Sequence, residues 1–96
     1  MVMVMLNQRI KELRLARGIN QVKLAEALGV TKQSVSNWEN DNIQPSIEIL
    51  IKLAEYFCVS TDYLLGLEEK ITLDVSNLSA EEIAHIQQII NDIRKR

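Results

Sequence analysis

The stretch that most constrains the fold of this chain is QVKLAEALGVTKQSVSNWEN, at residues 21–40. Its first half places Leu24 and Leu28 one helical turn apart, which predicts a short helix with an apolar inner face. Asn20 can cap the start of that helix, because its side-chain oxygen can accept from the free N–H groups of the first turn. Gly29 can end the helix in the left-handed conformation, which a residue without a Cβ atom adopts without strain.

The second half of the stretch predicts another helix, from about residue 32 to residue 40. Thr31 can cap it, and Val35 and Trp38, three residues apart, form its inner face. Its other side chains are mostly amides, hydroxyls and one cation, which suit the reading of base edges: glutamine and asparagine pair with adenine, and lysine with guanine. The four residues that we expect to read bases are Lys32, Gln33, Ser36 and Asn37.

Two helices around a tight turn form a helix-turn-helix pattern, and its surroundings resemble the Cro/C1-type family of phage and bacterial repressors, often called the Xre family. The similarity begins near Ile10, at IKELRLARGINQ, and continues without a gap through NIQPSIEILIKLAEYFCVSTDYLLG to Gly66. The resemblance implies an all-α, five-helix, lambda-repressor-like DNA-binding domain over residues 1–66. In such a domain the second helix of the motif, the recognition helix, enters the major groove with its N-terminal half at the bases.

Other polar side chains around the motif are expected to contact the phosphates of DNA. The resemblance places a phosphate-contacting glutamine at Gln21, where the free N–H groups at the start of a helix also favour an anion. The further phosphate-binding candidates are Lys23, Thr31, Ser34, Asn40 and Asn42. The matching positions of the family also imply an ion pair between Arg14 and Glu39, which would hold the recognition helix against the first helix.

The rest of the expected domain consists of three more helices. The first runs from about residue 7 to residue 17. The fourth has an apolar stripe too broad for a surface helix, so we expect it to lie centrally; the stripe comprises Ile47, Leu50, Ile51, Leu53, Ala54 and Phe57. A short fifth helix contributes Leu64 and Leu65 to the core. The side chains expected to cap the later helices are Ser46, Ser60 or Thr61, and Ser79.

Residues 67–78 are expected to be a linker or a short strand. KITLDV, at residues 70–75, alternates apolar and polar residues with the period of a strand. A single strand is not stable alone, so it would need a partner. The N-terminal MVMVM and the same segment of a second chain are the two candidates.

A last amphipathic helix is predicted over residues 79–96, where Ser79 and Glu82 form a capping box. The isoleucines along it are Ile83, Ile86, Ile89, Ile90 and Ile93. Their apolar face either folds back on its own domain or pairs with a second copy. We expect it to be a dimerisation element, because repressors of this fold bind two half-sites about one helical turn apart.

The charge is distributed unevenly along the chain, whose net charge is −2. Residues 1–40 carry six basic and three acidic residues, whereas residues 41–82 carry two basic and nine acidic residues. Residues 83–96 carry three basic residues and one acidic residue. The helix-turn-helix segment is therefore the positive part of the chain, which predicts a small protein that approaches DNA with one face only.

Nothing in the sequence indicates an enzyme. The only histidine, His85, lies among isoleucines of the last helix, without a serine or cysteine partner at a suitable spacing. The sequence contains neither a glycine-rich phosphate loop nor a cluster of metal ligands, so no cofactor and no metal are expected. The single cysteine, Cys58, excludes an internal disulfide bond and is expected to be buried at the end of a helix.

The expected location is the cytoplasm. No apolar run approaches the roughly 20 residues of a membrane span, and the opening MVMVML is too short and lacks the basic residues of a secretory signal. We expect a sequence-specific transcriptional regulator, a repressor that binds an inverted-repeat operator in double-stranded DNA as a homodimer. An antagonist protein is a further candidate partner. The alternative is an antitoxin or a protein-interaction module of the same fold, whose last thirty residues bind a different protein.

Overall fold

The computed structural model describes residues 5–95. The secondary structure of these residues consists of six helices, without any strand. The helices are α1 (Leu6–Ala16), α2 (Gln21–Leu28), α3 (Lys32–Glu39), α4 (Ile47–Phe57), α5 (Thr61–Leu64) and α6 (Ala80–Arg94). The all-α class is therefore confirmed. The strand considered for the opening MVMVM falls largely outside the described residues.

Side-chain caps begin five of the six helices, as the sequence predicts. In each case an oxygen atom accepts from the backbone N–H three residues further on. The capping residues of α2 to α6 are Asn20, Thr31, Ser46, Ser60 and Ser79. At α6 the carboxylate of Glu82 also accepts from the N–H of Ser79 at 2.9 Å, which completes the predicted capping box. Gly29 ends α2 with a φ of 72°, the left-handed conformation expected of it.

The hydrophobic core lies between the first five helices. Its most deeply buried side chains are Ile10, Leu24, Val35, Leu53 and Leu64, one from each helix. Helix α3 packs against α1 and α2, and α4 packs against α2 and α5. Among the described residues, the recognition helix is thus held mainly by two helices, α1 and α2.

Helix α4 is rotated relative to the sequence prediction, which was wrong about two of its stripe residues. Ile47 is 78% exposed and Ile51 is 47% exposed, whereas Leu53, Ala54 and Phe57 are buried. The main contacts of the helix with other helices are those with α2 and α5. A stripe this broad permits more than one rotation, and the contacts with α2 and α5 select one of them.

Two smaller predictions about the core are also wrong. Cys58 is exposed, because it ends α4 in the left-handed conformation with a φ of 55°. That turn directs Val59 into the core instead, where its N–H donates to the carbonyl oxygen of Ala54 at 3.0 Å. Leu65 lies at the surface, and only Leu64 of the expected pair is buried.

The segment between α5 and α6 is irregular, so the strand considered at residues 70–75 does not form in the single chain. Ile71 and Leu73 are exposed there, and residues 5–95 contain no second strand that could cover them. Helix α6 contains no buried residue, and within residues 5–95 it takes part in none of the main helix–helix contacts. No helix of these residues has the length and apolar character needed to cross a membrane.

Candidate nucleic-acid interface

The recognition helix α3 has one buried side and one polar side. Val35 and Trp38 fill the core, and Glu39 is buried beside them. On the opposite side Lys32 and Gln33 are exposed, and the other two expected base-reading residues, Ser36 and Asn37, are half-buried. The core therefore fixes α3 by its apolar side and leaves the four expected readers accessible.

A network of hydrogen bonds around Glu39 ties α3 to the rest of the domain. Arg14 Nε lies 2.6 Å from Glu39 Oε2, and Arg14 Nη2 lies 2.9 Å from Glu39 Oε1, so the guanidinium forms a bidentate ion pair. Arg14 Nη1 also donates to the carbonyl oxygen of Ile19 at 2.9 Å. The hydrogen bond to Glu39 raises the pKa of Arg14, against the opposing effect of burial. The pair thus joins α1 to the end of α3.

Gln21 belongs to the same network. Its Nε2 atom donates to Glu39 Oε1 at 3.1 Å, and the side chain is half-buried at the first position of α2. A primary amide has two N–H groups, so the second N–H of Gln21 remains for a phosphate. Arg14 neutralises the carboxylate that orients this amide, which reduces the repulsion that Glu39 would otherwise exert on a phosphate.

The polar side chains of α3 pair with one another one helical turn apart. Gln33 Nε2 donates to Asn37 Oδ1 at 3.1 Å, and Asn40 Nδ2 donates to Ser36 Oγ at 3.2 Å. These pairs follow from the side-by-side position of residues i and i+4 on a helix. Gln33 and Asn37, both expected to read bases, are therefore hydrogen-bonded to each other, and their i, i+4 spacing is the sequence signal for such a pair.

The remaining phosphate candidates are positioned in two ways. Thr31 caps α3 through its Oγ1 atom, which also lies 3.0 Å from Ser34 Oγ. The side chains of Lys23 and Asn42 are exposed and make no hydrogen bond within residues 5–95. The N–H of Asn42 donates to the carbonyl oxygen of Asn37 at 2.9 Å, which places the loop after α3 beside the recognition helix.

The sequence pattern does not indicate the burial of a second cation, Arg9. Arg9 is 5% exposed; its Nη1 atom donates to the carbonyl oxygens of Tyr63 and Glu68, and its guanidinium lies 3.8 Å from the centre of the Tyr63 ring. Arg9 and Arg14 therefore support the fold and are not available to phosphates. The positive charge that can reach DNA comes from exposed residues such as Lys23 and Lys32.

Comparison with known proteins identifies the family. A helix-turn-helix family model matches residues 10–64, which is more than half of the chain. The chain belongs to the Cro/C1-type helix-turn-helix family. This result confirms the resemblance seen in the sequence, and members of the family are DNA-binding transcriptional regulators, not enzymes.

Curated relatives of this helix-turn-helix chain are named as regulators and repressors. The HTH-type transcriptional regulator ImmR of Bacillus subtilis is 36% identical over 87 residues, which are 91% of this chain and 68% of ImmR. The immunity repressor protein of Bacillus phage phi105 is 28% identical over 92% of this chain and 61% of its own length. The chain spans only 41% of another relative, the activator BcrR of Enterococcus faecalis.

Solved structures of the family have the same fold. The P22 c2 repressor, crystallised in complex with a synthetic operator, has a TM-score of 0.64 and 31% identity; the match covers 68% of this chain and 98% of the repressor chain. A complex of the SinR and SinI proteins has a TM-score of 0.61 and 28% identity, and the match covers 96% of this chain and all of the matched chain. A transcriptional regulator from Listeria innocua matches 98% of this chain with a TM-score of 0.65 and 29% identity, covering 96% of that regulator.

Proposed function

We propose that this helix-turn-helix regulator represses transcription by binding an inverted-repeat operator as a homodimer, with α3 reading bases in the major groove. The observation that carries the proposal is the two-sided character of α3. Val35 and Trp38 anchor one side in the core, while Lys32 and Gln33 are exposed on the other. The P22 c2 repressor, similar over 68% of this chain, binds an operator in its crystal structure, and the phage phi105 relative is named an immunity repressor.

The surroundings of α3 support phosphate contacts that would fix its orientation on the duplex. Gln21 keeps an N–H group free beside the start of α2, and the helix N-terminus favours an anion there. Lys23, in α2, and Asn42, in the loop after α3, are both exposed. Base reading by Ser36 and Asn37, and phosphate contacts by Thr31, Ser34 and Asn40, belong to the same proposal.

DNA binding is tested by titrating a random-sequence duplex at several salt concentrations. Each lysine that contacts a phosphate releases counterions, so we expect Lys23→Ala to reduce the slope of log affinity against log salt by about one. Lys70→Ala is the matched control, because Lys70 is an exposed lysine in the linker between α5 and α6, outside the helix-turn-helix. Equal slopes for Lys23→Ala, Lys70→Ala and the unaltered protein would contradict the placement of Lys23 at a phosphate.

The proposed homodimer forms through α6. The helix is 15 residues long, about 22 Å at the usual rise, and Ile86 and Ile90 lie on the same side at the spacing of a coiled-coil seam. None of its residues is buried, and Ile89 is 57% exposed. A second copy would cover this apolar side, and two copies are what an inverted repeat requires. Ile83 and Ile93 extend the same face.

Dimerisation is tested by sedimentation equilibrium on Ile86→Asp, with Gln87→Asp as a control that adds the same charge to an exposed position of α6. We expect Ile86→Asp to be monomeric at a concentration at which Gln87→Asp and the unaltered protein are dimers. Its affinity for an inverted repeat should fall by about 10²-fold or more, because the second half-site is no longer bound at high effective concentration. A monomeric unaltered protein, or a dimeric Ile86→Asp, would exclude α6 as the dimer interface.

A second candidate role for α6 is to bind a different protein, such as an antagonist of this regulator. The similarity to a complex of two proteins, SinR and SinI, favours this role, since the match covers 96% of this chain. The two roles give different results with purified protein. A dimer formed by this chain alone supports the homodimer, whereas a monomer that forms a complex only with another protein supports the antagonist.

A further inference from the structure

The hydrogen bond between Gln33 and Asn37 restricts what each side chain can offer to DNA. Gln33 Nε2 donates to Asn37 Oδ1 at 3.1 Å across one turn of α3. A glutamine amide carries two N–H donors and one carbonyl acceptor. After the bond to Asn37, Gln33 retains one N–H and its Oε1 acceptor, side by side in one plane.

We propose that Asn37 is a positioning residue that orients the amide of Gln33, and that Gln33 thereby reads the adenine of one A·T pair in each half-site. This inference rests on the proposed function, because it requires α3 to lie in the major groove. It narrows the base-reading role proposed above for Asn37: Gln33 makes the contact with the base, and Asn37 acts through Gln33.

The donors and acceptors of the bases decide which base fits. Adenine presents the N6 amino group as a donor and N7 as an acceptor in the major groove. The free Oε1 of Gln33 accepts from N6, and its free N–H donates to N7, so both groups are used while the bond to Asn37 is kept. Guanine presents two acceptors, O6 and N7, and would require the N–H that Gln33 already donates to Asn37.

The same bond fixes the direction of the amide. Turning the Gln33 amide by 180° would place its Oε1 against Asn37 Oδ1, two acceptors without a proton between them. Asn37 accepts through its Oδ1, so its own two N–H groups take no part in this bond. If the polarity of the pair were reversed, Asn37 would donate to Gln33 and leave two N–H groups on Gln33, which would select guanine.

Selection of bound sequences from a random duplex pool, applied to four proteins, tests the inference. Asn37→Asp keeps an acceptor oxygen beside Gln33 and cannot donate. The hydrogen bond in this variant can therefore run in one direction only, from Gln33 to residue 37. Asn37→Ala removes the partner, and Lys70→Ala, at an exposed position of the linker outside the helix-turn-helix, is the control. The quantity compared is the ratio of adenine to the other bases at each position, since the carboxylate of Asn37→Asp lowers affinity for all DNA.

We expect the unaltered protein and Asn37→Asp to select adenine at the same position, and Asn37→Ala to lose about five-fold or more of that selectivity. Lys70→Ala should retain it. Selection of guanine at the position that responds to Asn37→Ala, or an unchanged adenine ratio in Asn37→Ala, would overturn the inference while the proposed function stood. If the unaltered protein enriched no sequence, the proposed function would fail, and the inference with it.

Discussion

Trp38→Ala is expected to lower the free energy of unfolding by about 3–5 kcal/mol, the usual loss when a large buried aromatic side chain is truncated. Trp38 is 6% exposed and belongs to the same buried cluster as Val35 and Leu24. Its removal leaves a cavity at the contact between α3 and the core. For a domain of this size each kcal/mol lowers Tm by about 4–8 °C, so the loss should be plain in thermal unfolding followed by circular dichroism.

Leu15→Ala is the matched control for that experiment. Leu15 is also a large apolar residue, but it lies exposed on α1, and its truncation should change the unfolding free energy by no more than about 0.5 kcal/mol. Trp38→Ala should also weaken DNA binding, because α3 would no longer be held by its inner side. A Tm unchanged by Trp38→Ala would contradict the placement of the indole in the core.

Arg14→Ala is expected to have an effect of similar size for an electrostatic reason. Removing one partner of a buried ion pair typically costs about 3–5 kcal/mol, because the other charge remains buried without compensation. Here Glu39, 6% exposed, would keep the amide of Gln21 as its one side-chain partner within residues 5–95. Denaturant unfolding of Arg14→Ala measures the loss.

The double variant Arg14→Met, Glu39→Leu separates the cost of an unpaired charge from the value of the pair itself. Replacing both charges by apolar residues of similar size is often neutral or stabilising. We therefore expect the double variant to be more stable than Arg14→Ala, although it carries one more substitution. If the double variant lost as much stability as the single variant, the unpaired carboxylate would not be the cause of the loss.

The parts of the fold that depend on local hydrogen bonds could be predicted from the sequence. A cap such as Thr31 needs only the backbone N–H three residues further on, so the identity of the residue and the start of an apolar pattern were sufficient. The same holds for Ser46 and for the capping box of Ser79 with Glu82. Gly29 ended α2 as expected, because the left-handed conformation there is a local requirement.

Features that depend on distant partners could not be predicted in this way. The exposure of Ile47 follows from the contacts of α4 with α2 and α5, which the pattern of α4 alone does not contain. Arg9 is buried through its contacts with Tyr63 and Glu68, which lie more than 50 residues away in the chain. The residues next to Arg9 in the sequence therefore do not indicate its burial. The alternation at residues 70–75 indicated a strand, but periodicity says nothing about whether a second strand is present.

For the candidate interface, residue type and helical spacing are enough to predict which side of α3 is polar. The hydrogen bonds between the side chains on that side are seen only in the structure. Lys32 and Gln33 are exposed, in keeping with the readers expected from the pattern. The positive charge of residues 1–40 was a weaker guide, because Arg9 and Arg14 are buried. The contact of Gln21 with Glu39 adds a supporting role to a residue expected only to bind phosphate.

The most direct test of the central claim is the selection of bound sequences from a random duplex pool by the unaltered protein at a fixed salt concentration. If two copies joined through α6 read DNA with α3, the enriched sequences will contain an inverted repeat with half-sites about one helical turn apart. Enrichment of a single half-site would contradict the dimer. No enrichment by a folded protein would contradict sequence-specific binding by α3 and direct attention to a protein partner for α6.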